Sequence, residues 1–247
     1  DLAQIDLSGV ERVEIVEGPL SVNYGTNALA GTINLITRKG GGHPATLKAN
    51  AYAEHIGRLN ATITGTRHWG KNDVVFMAGR NFFAGWDPRQ TGLVDLAPTL
   101  ADTTRFQQWK PREQYLARFN YRRVGERWDL GYKAEGMHDV IINRGRPRAP
   151  YFETAFDEQY TTIRIDNALT AERRFAPGTK ANVILAHNRY VRRSNLWFRD
   201  LTDLREQLVE GADEQDTSGF TLTNLRATFV QSKDSAQVSF EAGTDLN

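Results

Sequence analysis

The chain has 247 residues, with 31 Lys and Arg against 30 Asp and Glu, and it contains no cysteine. This charge balance argues against a strongly basic nucleic-acid binder, and the lack of cysteine excludes a disulfide scaffold and a cysteine-ligated metal site. No run of about 18 apolar residues occurs, so no transmembrane helix is predicted.

The first 42 residues differ in pattern from the rest of the chain. A short β-branched run from Val10 to Val16 ends at Gly18 and Pro19, and a second apolar run follows at Ile33–Ile36. This order predicts a strand, a turn, a short helix or loop, and a second strand. The glycine-rich segment 38–42 has the composition of a linker. We therefore predict two domains, residues 1–42 and residues 43–247.

From Ala45 onward apolar and polar residues alternate in stretches of about ten, the length of a tilted transmembrane β-strand. In the clearest stretch, 115–122, Tyr115 and Phe119 fall on one face while Arg118 and Arg122 fall on the other. The alternation predicts nine strands, at 46–55, 58–69, 73–84, 113–123, 128–142, 159–172, 179–192, 217–231 and 235–246.

The connections between these strands alternate between short and long after the first hairpin. The long ones are 85–112, 143–158 and 193–216. Outer-membrane barrels have short periplasmic turns and long outer loops, and aromatic girdles at the membrane interfaces. Aromatic side chains do lie beside the short turns, at Trp69, Tyr121, Trp128 and Phe175. A soluble β-sandwich with one solvated face is the alternative that gives the same alternation.

A barrel wall of this kind would have an outer face toward lipid and an inner face toward the lumen. We predict that the following side chains point outward: Tyr115, Phe119, Tyr121, Leu130 and Tyr132. The basic side chains predicted to point inward are Arg118, Arg122, Lys133 and Arg164. Basic groups are costly against lipid and tolerated in a polar lumen.

Residues 10–38, VERVEIVEGPLSVNYGTNALAGTINLITR, resemble the end of the plug domain of TonB-dependent outer-membrane receptors. The shared elements are an acidic and basic alternating strand, a Gly-Pro turn, a Tyr-Gly pair, a small-residue segment and an Ile-Asn-x-Ile-Thr strand. The residues that carry this plug signature are Arg12, Glu14, Glu17, Gly18, Pro19, Tyr24, Gly25 and Gly31. Glu17 departs from the family, in which many members have a basic residue before Gly-Pro.

The resemblance implies an all-β fold, a transmembrane antiparallel β-barrel of about 22 strands with a globular plug in its lumen. Residues 1–42 would be the C-terminal part of the plug, and residues 43–247 the first nine or so strands, so we expect the chain to be a fragment of a larger receptor. It also implies location in the bacterial outer membrane. TonB would be a partner through an N-terminal motif that we do not find in these residues.

The implied function is active import of a scarce ligand. The Asp-Ala dipeptide of glycan importers is absent, which favours a metal chelate or cobalamin over a glycan. A ferric siderophore or related metal chelate is the favoured ligand, and cobalamin, haem or a glycan are the alternatives. Other classes are a signal-transducing receptor and an outer-membrane barrel enzyme. No catalytic motif occurs and the five histidines lack metal-ligand spacing, so we expect no enzyme activity, no cofactor and no bound metal.

Arginine and aromatic residues gather at the ends of the fifth and seventh predicted strands. The ligand-binding candidates there are Arg144, Arg146, Tyr151, Tyr190, Arg192, Arg193, Trp197 and Arg199. Arginine forks bind carboxylate or catecholate oxygens, and aromatic faces can cover chelating rings. Binding of Arg144, Arg146 and Arg148 to the phosphates of lipopolysaccharide in the surrounding lipid is the alternative. Ligand-binding residues must face the lumen, and lipid-binding residues the outside.

Overall fold

A computed structural model describes residues 10–17, 31–37, 44–88, 101, 105–211, 215–231 and 240–246. Within these residues twelve β-strands form two antiparallel sheets, and no α-helix occurs. This part of the chain also lacks any helix with the length and apolar character to cross a membrane. The all-β class that the sequence predicted is therefore confirmed.

The first sheet is a two-stranded one near the start of the chain. In it β1 (Val10–Glu17) pairs with β2 (Gly31–Thr37), so both strands predicted in this region are present. Arg12 Nε donates a hydrogen bond to Glu14 Oε1 at 2.8 Å on β1. Gly18, Pro19, Tyr24 and Gly25 of the plug signature lie outside the described residues. The assignment of residues 1–42 to a plug domain stays a prediction.

The second sheet has ten strands and contains most of the chain. Along it the order is β3 to β9, then β11 and β12, and β10 pairs with the end of β9. The sheet is not closed into a barrel by these residues. Its strands are β3 (Ala45–Glu54), β4 (Arg58–Trp69), β5 (Asn72–Phe83), β6 (Arg112–Val124), β7 (Trp128–Arg144), β8 (Thr154–Ala176), β9 (Thr179–Asp200), β10 (Glu206–Leu208), β11 (Gln215–Gln231) and β12 (Phe240–Leu246).

The nine predicted strands correspond to β3–β9, β11 and β12, but two of them were predicted too short. β8 has 23 residues and β9 has 22, because their pairing continues as far as Thr154 opposite Asp200. The predicted loop 193–216 is therefore wrong for residues 193–200, 206–208 and 215–216, and the predicted loop 143–158 is wrong for 143–144 and 154–158. Polar residues interrupt the alternation there, and backbone pairing with a neighbouring strand keeps them extended all the same.

Directly opposed residues of an antiparallel pair lie on the same face, so the register fixes which side chains lie together. Phe119 lies opposite Phe76 and Ala134, whereas Arg118 lies opposite Met77 and Glu135. We call the side of Phe119 the apolar face and the side of Arg118 the polar face. The register puts all five side chains predicted outward on the apolar face, and all four basic ones predicted inward on the polar face.

Aromatic side chains on the apolar face lie next to the short turns. The register places Trp69, Tyr121 and Trp128 on this face, and Phe175 lies on it through its ring contact with Phe229. Nearby arginines lie over their rings: Arg173 is 5.2 Å from the ring centre of Trp128 and 4.7 Å from that of Phe175. Such amphipathic groups suit the boundary between hydrocarbon and water.

Candidate functional site

The polar face begins with a ladder of ion pairs across β6, β7 and β8. Arg118 Nε lies 2.7 Å from Glu135 Oε1, and Lys133 Nζ lies 2.9 Å from the same oxygen. Arg164 Nε lies 3.0 Å from Asp166 Oδ2. Arg122 is 3.6 Å from its nearest carboxylate oxygen. These four cations are therefore already matched by acidic groups of the same face.

A packed layer of side chains covers the polar face of β5, β6 and β7. Met77, Leu116 and Met137 are buried, with 4%, 8% and 3% of their surface exposed. Gln114 donates a hydrogen bond to the sulfur of Met137 and accepts one from Asn81. Because these groups satisfy one another, this part of the face leaves little for a ligand to bind.

The polar face of β8, β9 and β11 is different, because half-buried and exposed aromatic rings lie together there. Tyr190 and Phe220 stack with their ring centres 5.2 Å apart, and Phe220 is 59% exposed. The guanidinium of Arg192 lies 5.0 Å from the ring centre of Tyr160. We call these four residues the aromatic–arginine cluster. Within the described part of the chain, exposed Arg192 forms no ion pair with a carboxylate.

Only two of the eight ligand-binding candidates, Tyr190 and Arg192, belong to this cluster. The register places Arg144, Arg193, Trp197 and Arg199 on the apolar face instead. Alternation explains the separation, because adjacent strand residues such as Arg192 and Arg193 point to opposite sides.

Arg144 and Arg199 belong to a second, buried group at the long-loop end of β7, β8 and β9. Asp157 Oδ2 accepts hydrogen bonds from Arg105 Nη2 at 2.6 Å and from Arg199 Nε at 3.1 Å. The side chains of Arg105 and Asp157 are 0% and 6% exposed. Arg144 lies opposite Asp157 in the register. We call these four residues the arginine–aspartate cap.

The cap anchors the long connection after β5 to the sheet. Arg105 Nη1 donates to Gly145 O at 2.6 Å, and Gly145 N donates to Asp157 Oδ1 at 3.1 Å. In the same connection the rings of Trp86 and Trp109 stack with centres 4.5 Å apart. Arg144 Nη1 donates to Gln107 Oε1 of this connection at 3.4 Å, and Arg199 binds Asp157, so both arginines have a structural role.

The remaining two candidates lie in the connection between β7 and β8, apart from both groups. The guanidinium of Arg146 is 4.7 Å from the ring centre of Phe106, and Tyr151 is 80% exposed. His138 lies on the apolar face, opposite Tyr115. Among the described residues no three His, Asp or Glu side chains are grouped in a way that could hold a metal ion.

Sequence reasoning missed Tyr160 and Phe220. Tyr160 lies 32 positions before Arg192 in the numbering, and Phe220 lies 30 positions after Tyr190. Strand pairing makes them neighbours. Thr161 of β8 pairs with Arg193 of β9, which brings Tyr160 close to Arg192, and Phe220 of β11 pairs with Tyr190 of β9. The available signal was the two-residue spacing of Phe220 from Asp216 and Ser218, which places an aromatic residue on the polar side of the strand.

No profile of a known protein family matches the chain. The vitamin B12 transporter BtuB of Photobacterium profundum is 25% identical over 257 residues, covering 91% of this chain and 40% of that relative. The iron-regulated outer membrane virulence protein of Vibrio cholerae, in strains O395 and N16961, is 52% identical over 33 residues, which are 13% of this chain and 5% of that protein. The chain thus spans less than half of the length of these curated relatives.

Proposed function

Because the chain is a relative of the TonB-dependent receptors of the bacterial outer membrane, we propose that it forms part of an active importer of a scarce ligand. TonB would supply the energy by rearranging the plug, so that import is conformational work on a bound solute and not covalent chemistry. The similarity over 91% of the chain to a protein named as a transporter carries this proposal.

The two sheets match the two proposed domains, a plug and a barrel wall. Residues 1–42, with β1 and β2, would belong to the plug, and residues 43–247 would form wall strands. The apolar face would meet lipid and the polar face would line the lumen. The ring of aromatic residues beside the short turns supports this orientation, as does the restriction of the four-cation ladder to the other face.

The first test is uptake by cells that express the full-length protein. We expect accumulation of iron from a ferric catecholate chelate in cells with functional TonB, and none above background in cells that lack TonB. The control is a strain without the receptor. Uptake that persists unchanged without TonB would contradict the proposed energy coupling.

We further propose an anionic ligand with planar rings, such as a ferric siderophore or related metal chelate, bound at the aromatic–arginine cluster. Arg192 provides a positive charge that no carboxylate neutralises among the described residues. Tyr160, Tyr190 and Phe220 provide aromatic faces beside it. Cobalamin is the second candidate, because the relative aligned over most of the chain is named as a vitamin B12 transporter.

Changing Arg192→Gln should weaken binding of a ferric catecholate by about tenfold to a hundredfold, the range expected for losing a hydrogen bond to a charged group. Binding to the purified full-length receptor would be measured by calorimetry. The matched control is Arg193→Gln, one residue along the chain but on the apolar face, which should leave the affinity unchanged.

Equal losses in the two variants, or no loss in either, would contradict binding at the cluster. Cyanocobalamin would be measured in parallel. Tight binding of cyanocobalamin with no binding of the ferric chelate would assign the receptor to the second ligand class.

A further inference from the structure

Two arginines on the apolar face of β9 have no partner within the described part of the chain. Arg189 and Arg193 are both exposed, and neither forms a hydrogen bond, ion pair or ring contact with any described residue. Ile165 and Thr221 flank Arg189, and Thr161 and Thr217 flank Arg193 on the neighbouring strands. None of the four neighbours is acidic.

Three other arginines of the same face are accommodated by their surroundings, whereas Arg123, next to a short turn, also has no partner among the described residues. Arg80 Nη2 lies 2.6 Å from Glu113 Oε1, and its guanidinium also lies 5.1 Å from the ring centre of Phe82. Arg67 and Arg173 lie over Trp69 and Trp128 next to the short turns. Arg189 and Arg193 lack both kinds of contact among the described residues, so both are available to bind an external anion.

The level of the two arginines along the strand indicates where that anion lies. On β9 the apolar face begins with Ala181, Val183 and Leu185, and then turns polar at His187. On β11 it changes between Leu225 and Thr223, whose hydroxyl lies 2.8 Å from His187 Nδ1. On this face β11 is therefore polar beyond Leu225, and β9 is polar beyond Leu185 except at Val191, in the stretch that carries Arg189 and Arg193.

The length of the strands agrees with this position. A tilted transmembrane strand needs about 9–11 residues, and β9 has 22. A basic side chain on the lipid face costs about 2–4 kcal/mol at the bilayer midplane but about 0–1 kcal/mol near the interface. Two unpaired arginines are therefore compatible with the headgroup level and not with the hydrocarbon.

We propose that Arg189 and Arg193, with the hydroxyls of Thr161, Thr217 and Thr221, form a binding site for the phosphates of outer-leaflet lipid headgroups. We call this surface the β9 arginine patch. A guanidinium donates two parallel hydrogen bonds to a phosphate, and threonine hydroxyls add neutral donors. Four strand residues span roughly 13 Å, so the two arginines can hold two separate phosphates. The site rests on the proposed orientation of the apolar face toward lipid, and it is independent of the imported ligand.

The test uses the full-length receptor in detergent and native mass spectrometry with three probes: diphosphoryl lipid A, monophosphoryl lipid A and phosphatidylcholine. Wild-type protein should bind diphosphoryl lipid A most tightly. The double variant Arg189→Gln/Arg193→Gln should bind it at least tenfold more weakly, with phosphatidylcholine binding unchanged. The difference should shrink as salt is raised. The matched control is Arg80→Gln, which removes an arginine that Glu113 already neutralises.

Equal affinity of the double variant and the wild type would overturn the proposal, as would an equal loss in Arg80→Gln. Competition by inorganic phosphate at the concentration of the lipid would assign a free-phosphate site instead. Loss of self-association without loss of lipid binding would assign the patch to a second copy of the chain. The single variant Arg193→Gln provides the same comparison if the double variant does not fold.

Uptake of the ferric chelate separates this proposal from the proposed function. The double variant should import the chelate at the wild-type rate, because both arginines lie on the face opposite the aromatic–arginine cluster. Failure of import in wild-type protein would contradict the importer and leave the lipid measurement valid.

Discussion

Replacing Asp157 with asparagine is expected to destabilise the long-loop end of β7, β8 and β9 by about 3–5 kcal/mol, the cost of breaking a buried ion pair on one side. The carboxylate accepts hydrogen bonds from Arg105, Arg199 and the backbone N–H of Gly145. An asparagine presents an amide N–H₂ in place of one acceptor, so a donor would face a donor. Arg105, whose side chain is fully buried, would lose its charge partner.

The effect of Asp157→Asn would be measured by urea unfolding of the full-length receptor, followed through tryptophan fluorescence. Trp86 and Trp109 stack in the connection that the cap anchors, so they report on this region. The control is Glu206→Gln, which removes the other carboxylate that pairs with Arg199, one that is 53% exposed. That variant should lose about 1 kcal/mol or less. A similar loss of stability in both variants would contradict the prediction that the buried carboxylate of Asp157 stabilises the protein more than the exposed carboxylate of Glu206.

Replacing Phe119 with arginine is expected to cost about 2–4 kcal/mol if the residue lies near the bilayer midplane. Phe119 lies on the apolar face between Phe76 and Ala134, and its ring centre is 6.3 Å from that of Tyr132. A guanidinium there would have to face hydrocarbon. The measurement is the free energy of folding of the full-length receptor into phosphatidylcholine vesicles, from urea titrations in both directions.

The neighbouring change Asn120→Arg is the control for Phe119→Arg. Asn120 points to the polar face, opposite Val75 and Lys133. We expect a loss of less than about 1 kcal/mol, most of it from placing two like charges in opposed positions. Equal losses at positions 119 and 120 would contradict the assignment of the apolar face to lipid.

Local pattern was sufficient to predict the strands and their faces across β6 and β7. The short turn between them fixes the register, and period-two alternation then assigns each side chain to a face. Alternation alone therefore separates Phe119 from Arg118 correctly. The resemblance of residues 10–38 to TonB-dependent receptors was likewise visible in the sequence, because its elements follow one another within a single short segment.

The extent of β8 and β9 was decided by pairing between strands. Residues 193–200 carry polar side chains in no clear alternation, yet their backbone groups are satisfied by β8, β10 and β11. Because β9 continues beyond Arg192, strand alternation decides on which face each arginine at its end lies. Arg193 and Arg199 fall on the face opposite Arg192, so a group that is continuous in sequence becomes two separate surfaces.

The sequence by itself therefore determined the class of fold, the alternation of the wall strands and the family resemblance, because each depends on residues within one strand or one hairpin. Only the tertiary structure decided which distant residues meet. Arg105 binds Asp157 across 52 positions, and Tyr190 meets Phe220 across two strands. Arg189 and Arg193 were left without partners among the described residues by the same pairing. Register among several strands brings these groups together, and it is set by hydrogen bonds along the whole sheet that no local pattern encodes.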